Sequence, residues 1–140
     1  LSGWIYEGKE IDESDIPAGS VGFVYIIFIA GTDKKYIGRK ILTSTKRKPP
    51  KKGETRRTKV VSASNWQNYY GSSAEMKNLL LTQGKDAFIR KIVRFCKSKS
   101  EMAYYEAKLI FEEDALLKDE YINKWLTCQI NGKNLNYLRK

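Results

Sequence analysis

Gly22-Phe23-Val24-Tyr25-Ile26-Ile27-Phe28-Ile29 is an unbroken run of β-branched and aromatic residues behind a single glycine. It is too uniformly apolar for an exposed strand and predicts a central strand buried on both faces. Ala30-Gly31-Thr32-Asp33 then supplies turn chemistry, and Lys35-Tyr36-Ile37-Gly38 resumes a strand, so the two segments read as a hairpin.

Downstream, Ser72 with Glu75 has the capping-box pattern, Met76, Leu79 and Leu80 follow at helical spacing, and Gly84 is placed to stop a helix over about Ser73 to Gln83. Ala87 to Cys96 partly alternates apolar with basic residues, as a strand with one wetter face does. Ser98 with Glu101 opens a longer helix to about Leu117, and Asp119 to Leu126 suits another short helix. The order predicts an α+β fold, a small central three-stranded, mainly antiparallel sheet flanked by helices.

Upstream, residues 1–20 carry Glu7, Glu10, Asp12, Glu13 and Asp15 against Lys9 and read as an acidic N-terminal arm, with Trp4, Ile5 and Tyr6 able to anchor one end on a core. The arm either shields a basic surface or is a solvated extension. The domain proper is expected over 21–130, followed by an irregular, Asn-rich tail over 131–140.

The chain has 140 residues, suited to one domain, and carries 26 Lys and Arg against 16 Asp and Glu, a formal charge of +10. The excess is local. Lys34 to Lys59 holds twelve basic residues and one acid, Glu54, so the basicity is a patch that attracts polyanions, nucleic acid before membrane. Its densest part, 46–59, reads KRKPPKKGETRRTK, where two prolines, a glycine and like charges predict a flexible basic loop; a merely solubilising loop is the plainer reading.

The sequence has no histidine, which excludes Ser-His-Asp and Cys-His catalysis and His-ligated metal sites, leaving Tyr, Lys, Glu and Asp for acid–base work. Cys96 and Cys128 have no metal-like spacing, so reduced thiols are expected. Neither a long apolar run nor a signal-peptide pattern is present, so no membrane association and a cytoplasmic location are expected.

At 100° per residue from Met102, the long helix turns Tyr105, Glu106, Leu109, Glu113 and Leu116 into one inward sector. A carboxylate among apolar neighbours must be paired, hydrogen-bonded or bound to a cation, so Glu106 is either a structural salt-bridge partner or a metal ligand. Tyr25 and Tyr36, across a short turn, are either core residues or a pair of neighbouring phenols in a site.

Phe23-Val24-Tyr25 followed by Tyr36-Ile37-Gly38 resembles the paired blocks of the GIY-YIG nuclease superfamily. Trp66, Tyr69-Tyr70-Gly71-Ser72-Ser73, Gly84-Lys85-Asp86-Ala87-Phe88-Ile89-Arg90 and Tyr104-Tyr105-Glu106-Ala107-Lys108 are similar to its phage Seg-type branch, over roughly Gly22 to Ile130. The first block reads FVY, with Gly22 displaced one residue back, but its tyrosine is retained.

The resemblance implies a metal-dependent DNA endonuclease that leaves 5′-phosphate and 3′-hydroxyl ends. It implies Tyr25 as general base helped by Tyr36, Glu106 as the ligand of Mg²⁺ or Mn²⁺, and Asn123 as the late asparagine that orients a ligand or water. The family arginine follows the second block by about ten residues, where Lys46 and Arg47 stand; Arg47 is preferred, with Arg39, Arg56 and Arg57 as alternatives. Lys40 is the candidate cation favouring a phenolate. Double-stranded DNA would be held along Arg39, Lys46, Lys48, Lys51, Lys52, Arg56, Arg57 and Lys59 through phosphate contacts. Trp66, Tyr69 and Tyr70 either stack on bases or pack, packing being preferred for Trp66. A homodimer on DNA is one way to cut both strands, and a phage-infected bacterial cell is the implied setting. The rival readings are a non-catalytic nucleic-acid binder of the same fold and an RNA-binding, ribosome-associated domain.

Overall fold

The computed structural model describes residues 3–50, 52–53, 55–56 and 58–139, with the side chains of 46–48 and 58–60 outside that description. Among the described residues the elements run β1 (Trp4–Tyr6), β2 (Lys9–Glu10), β3 (Gly22–Ile29), β4 (Lys35–Ile41), β5 (Thr43–Lys48), β6 (Thr58–Ala63), α1 (Ala74–Gln83), β7 (Phe88–Cys96) and α2 (Lys99–Glu112).

The hairpin is present as read: β3 pairs antiparallel with β4, placing Tyr25 opposite Gly38 and Ile27 opposite Tyr36. On its other side β3 pairs antiparallel with β7, so it is a central strand. Alternate residues serve two cores. Phe23, Tyr25, Ile27 and Ile29 join Trp4, Trp66, Tyr70 and Met76 on one face, while Val24 packs with Cys96 and Met102 on the other. This two-sided burial explains the absence of polar alternation in the run.

The fold is α+β, but the sheet has five strands in the order β2-β1-β7-β3-β4 rather than three. The extra pair comes from the segment read as an acidic arm: β1 lies parallel to β7, and β2 pairs antiparallel with β1. Trp4 holds it in place, only 1% exposed, with its ring 4.9 Å from Phe23 and 5.2 Å from Tyr25. Its indole N–H donates to the Trp66 carbonyl at 2.7 Å.

The segment read as a flexible loop is largely a ribbon, with β5 and β6 pairing antiparallel from Thr43 opposite Ala63 to Lys48 opposite Thr58. A two-stranded ribbon needs no buried face, and Thr43, Thr45, Thr58, Val60 and Val61 favour extended backbone. Pro49, Pro50 and Gly53 fall between the strands.

Ser73, not Ser72, caps α1, its hydroxyl accepting the Met76 N–H at 3.1 Å. Ser98 caps α2 as expected, but that helix ends at Glu112, where Asp114 takes a left-handed conformation. Glu113 and Leu116 are therefore exposed rather than inward. Residues 119–126 form no helix: Lys35 N–H donates to Glu120 O and Ile122 N–H to Lys35 O, so the chain runs along the outer edge of β4. Pairing an otherwise open sheet edge outweighs a weak helical pattern.

Arg90, 1% exposed on β7, lies with its guanidinium 4.7 Å over Trp4 and 4.0 Å over Tyr70. Its Nη1 donates to the carbonyls of Gln67 and Tyr69 at 3.0 and 2.8 Å, fixing the turn that carries Tyr69. Arg90→Leu strands those carbonyls and empties the space the guanidinium fills between the two rings, and is expected to lower the unfolding free energy by roughly 2–4 kcal/mol in a urea titration.

Candidate active site

The outer edge of β4 is covered only as far as Ile37, whose backbone is gripped by Asn123: Ile37 N–H donates to Oδ1 at 3.0 Å, and Nδ2 donates to Ile37 O at 2.8 Å. Just beyond, a cleft of about 320 Å³ opens, lined by Tyr25, Tyr36, Gly38, Arg39, Ser72, Glu106 and Asn123 among others. It wraps around the edge strand. Tyr36 and Gly38 belong to the face shared with Tyr25, whereas Glu106 reaches the cleft from α2 on the opposite face.

Gly38 makes this possible. A Cβ there would overlap the Tyr25 hydroxyl, so the missing side chain lets the phenol reach the edge. Gly38→Ala is expected to lower the melting temperature, at a cost of about 1–3 kcal/mol for overpacking. A Gly38→Ala, Tyr25→Phe double variant should not recover that loss, because the Cβ also overlaps the ring carbon Cζ, which phenylalanine keeps. A break in the β3–β7 register between Val24 and Tyr25 marks a bulge at the same level.

Tyr25 is 1% exposed, its ring centroid 6.3 Å from Tyr36 and 6.1 Å from Tyr69. Burial, followed by Tyr69, Tyr36 and Glu106, pushes its phenol well above the usual tyrosine range. Tyr36 is less buried; burial raises it, while its contact with the Ser72 hydroxyl at 3.5 Å pulls in the other direction. Ser72 is free for that contact because Ser73 takes the cap.

The two glutamates of α2 that face inward differ in kind. Glu101, buried, accepts from Lys97 N–H at 2.9 Å, Tyr137 Oη at 2.8 Å and Arg94 Nε at 3.1 Å. Burial opposes its charge, but those donors hold the carboxyl below the ordinary glutamate value. Its role is structural.

Glu106, with a side chain 14% exposed, has Arg39 Nη1 at 3.8 Å. Burial raises its carboxyl above the usual range, and Arg39 offsets that only in part. Its charge is thus incompletely compensated by the protein.

No cluster of three or more His, Cys, Asp or Glu occurs among the described residues. One half-buried carboxylate beside an open, polar cleft fits Mg²⁺ or Mn²⁺, which keep several waters and take substrate oxygens, and does not fit zinc with its three or four protein ligands. Glu106 is the residue that would hold such an ion.

Tyr25, Tyr36, Glu106 and Asn123 thus meet in one cleft, and Arg39 is the arginine that joins them among the described residues. Asn123 spends its amide on the Ile37 backbone of β4. Lys40 does not line the cleft; its ammonium sits 4.3 Å over the Tyr69 ring, and desolvation lowers its pKa. Trp66 is buried, as packing predicts, and Tyr70 lies under Arg90. Tyr69, beside Tyr25 and Lys40, is a site neighbour that spacing alone did not single out. Lys51 and Arg57 lie outside the described residues, as do the side chains of Lys46, Arg47, Lys48 and Lys59; Lys52 and Arg56 are exposed.

Residues 4–130 match the family model described as "Putative endonuclease segE, GIY-YIG domain". The chain belongs to this GIY-YIG endonuclease family. The match covers the five-stranded sheet, both helices, the basic ribbon and every residue of the cleft, so the segE-type GIY-YIG domain includes β1 and β2 at least from Trp4. The match includes Tyr25 and Tyr36, and a nuclease role follows from the family. No curated protein and no solved structure matches the chain. No helix among the described residues is long and apolar enough to cross a membrane.

Proposed function

We propose that this GIY-YIG domain is a divalent-metal-dependent DNA endonuclease that hydrolyses phosphodiesters to 5′-phosphate and 3′-hydroxyl ends. The observation that carries the reading is the single cleft in which Tyr25, Tyr36, Arg39 and Glu106, drawn from three elements on both faces of the sheet, converge around Gly38.

Hydrolysis needs a water stripped of its proton and neutralisation of charge on the phosphate and leaving oxygen. Tyr25 takes the proton through its phenolate Oη, which returns to the phenol; Tyr36 Oη, steadied by Ser72, orients the water, and the leaving 3′ oxygen is protonated from solvent. Arg39 binds a non-bridging phosphate oxygen and leaves Glu106 free to hold Mg²⁺ or Mn²⁺. When bound, the ion adds Lewis-acid charge at the phosphate and the leaving 3′ oxygen. Asn123 positions Tyr36 by holding Ile37.

Arg47, opposite Lys59 in the ribbon, is proposed as a second phosphate ligand. Lys46, Lys48, Lys52, Arg56 and Lys59, with Lys51 and Arg57, hold the flanking backbone through contacts that weaken with salt. Lys40 acts at one remove, through Tyr69.

The product ends test the chemistry. Plasmid nicked by the protein in Mg²⁺ is expected to be resealed by a DNA ligase without prior phosphatase or kinase treatment. Nicks that need end repair before ligation would overturn the proposed bond cleavage.

A further inference from the structure

Trp125 is 73% exposed, although tryptophan is the largest apolar side chain and the other two, Trp4 and Trp66, are 1% and 5% exposed. It stands on the wall of the cleft that holds Tyr25, Tyr36 and Glu106. Its place is fixed from both sides. Two residues before it Asn123 is locked onto the Ile37 backbone, and immediately after it Leu126 packs on the cluster of Ile37, Ile110, Ala115 and Tyr121.

The chain therefore presents an indole to solvent from an anchored segment, with the exposed Lys124 beside it. A second, polar groove continues from the cleft along Asn123 and Lys124 to Lys34 and Lys118, three cations against the single acid Asp119, whose backbone carbonyl accepts from Lys34 at 3.0 Å. An aromatic ring set among cations that can track a phosphate backbone is the arrangement that binds nucleic acid by stacking on a base.

Inside a continuous duplex both faces of each base are covered by neighbours. An indole beside the scissile phosphate can stack only on a base whose face is open, at an unpaired, bulged, mismatched or flipped position.

We propose that Trp125 stacks on an unpaired base next to the scissile phosphate, making DNA with a disrupted position at the cut the preferred substrate. The inference rests on the nuclease reading above and adds its substrate class.

Intrinsic fluorescence tests it without cleavage. The wild-type protein is held in EDTA with either of two fluorescein-labelled DNA duplexes, identical except that one carries a single extra, unpaired adenine. Label anisotropy reports binding, and acrylamide quenching reports tryptophan exposure. In the free protein Trp125 is the acrylamide-accessible tryptophan, and Trp125→Phe removes that component. The bulged duplex is expected to shield Trp125, while the paired duplex leaves it accessible. Trp125→Ala should weaken binding of the bulged duplex by about tenfold and of the paired duplex by less than about twofold, with an unchanged melting temperature because the ring adds nothing to the core. Trp125→Phe should recover most of the loss.

Bulged DNA bound with Trp125 still fully accessible, or Trp125→Ala weakening both duplexes equally, overturns the proposal while leaving the nuclease reading intact. Absence of an anisotropy change with either duplex overturns both.

Discussion

Tyr25→Phe is expected to reduce single-turnover DNA cleavage by about 10²–10⁴-fold, the usual worth of a positioned general base, with DNA affinity little changed. The ring stays, so the core formed with Trp4 and Phe23 stays. Tyr25→Ala instead empties a wholly buried site and is expected to cost about 3–5 kcal/mol, which marks the phenylalanine as the informative variant. A pH profile distinguishes proton removal from simple packing. Because burial pushes the Tyr25 phenol well above its ordinary value, its ionised fraction is small at neutrality. The cleavage rate is then expected to climb with pH by up to about tenfold per unit between 7 and 9, and the slope should vanish in Tyr25→Phe. A slope that persists there would assign the base to another group, Tyr36 being the next phenol in the cleft.

Glu106→Gln has the second large effect. Loss of the cleft carboxylate proposed to hold the ion is expected to lower cleavage by about 10³-fold or more, a scale set by the several kcal/mol that metal charge contributes to the transition state. Binding of DNA should persist, since neutralising an acid beside Arg39 removes a repulsion for phosphate. Stability should hold or rise, because burial already disfavours the charged carboxylate and Arg39 compensates it only in part. Glu101→Gln is the contrast. It strips charge from a carboxylate held by three donors and is expected to destabilise the fold by about 1–3 kcal/mol.

That contrast also shows where sequence reading stops. Helical spacing turned Glu106 inward, but the same wheel placed Glu113 and Leu116 there, because it extended α2 past the Asp114 turn. Spacing shows Glu101 only as the capping partner of Ser98, since its donors Arg94, Lys97 and Tyr137 are brought to it by β7, the turn before α2 and the C-terminal segment. The β3–β4 hairpin and the proximity of the Tyr25 and Tyr36 rings were legible because an eight-residue apolar strand admits few placements. β1 and β2 were not, since three and two residues carry no periodicity and the acidic neighbours suggested solvent. Arg39 in the cleft, Tyr69 beside Tyr25 and Asn123 on Ile37 depend on which edge of β4 stays open, a tertiary fact. The basic ribbon misled through its prolines, which fall between its strands and not within them.

The cleft is proposed to hydrolyse DNA with the help of a divalent ion held by Glu106. Supercoiled plasmid incubated with Mg²⁺ tests this most directly, using wild-type protein, wild-type protein with EDTA, and Glu106→Gln protein shown by gel shift to bind the same plasmid. Nicked or linear product is expected only with wild type and Mg²⁺. Cutting that survives in Glu106→Gln would contradict the assignment of the site, and wild-type protein that retards plasmid and a bulged duplex in Mg²⁺ without cutting either would contradict the nuclease reading itself.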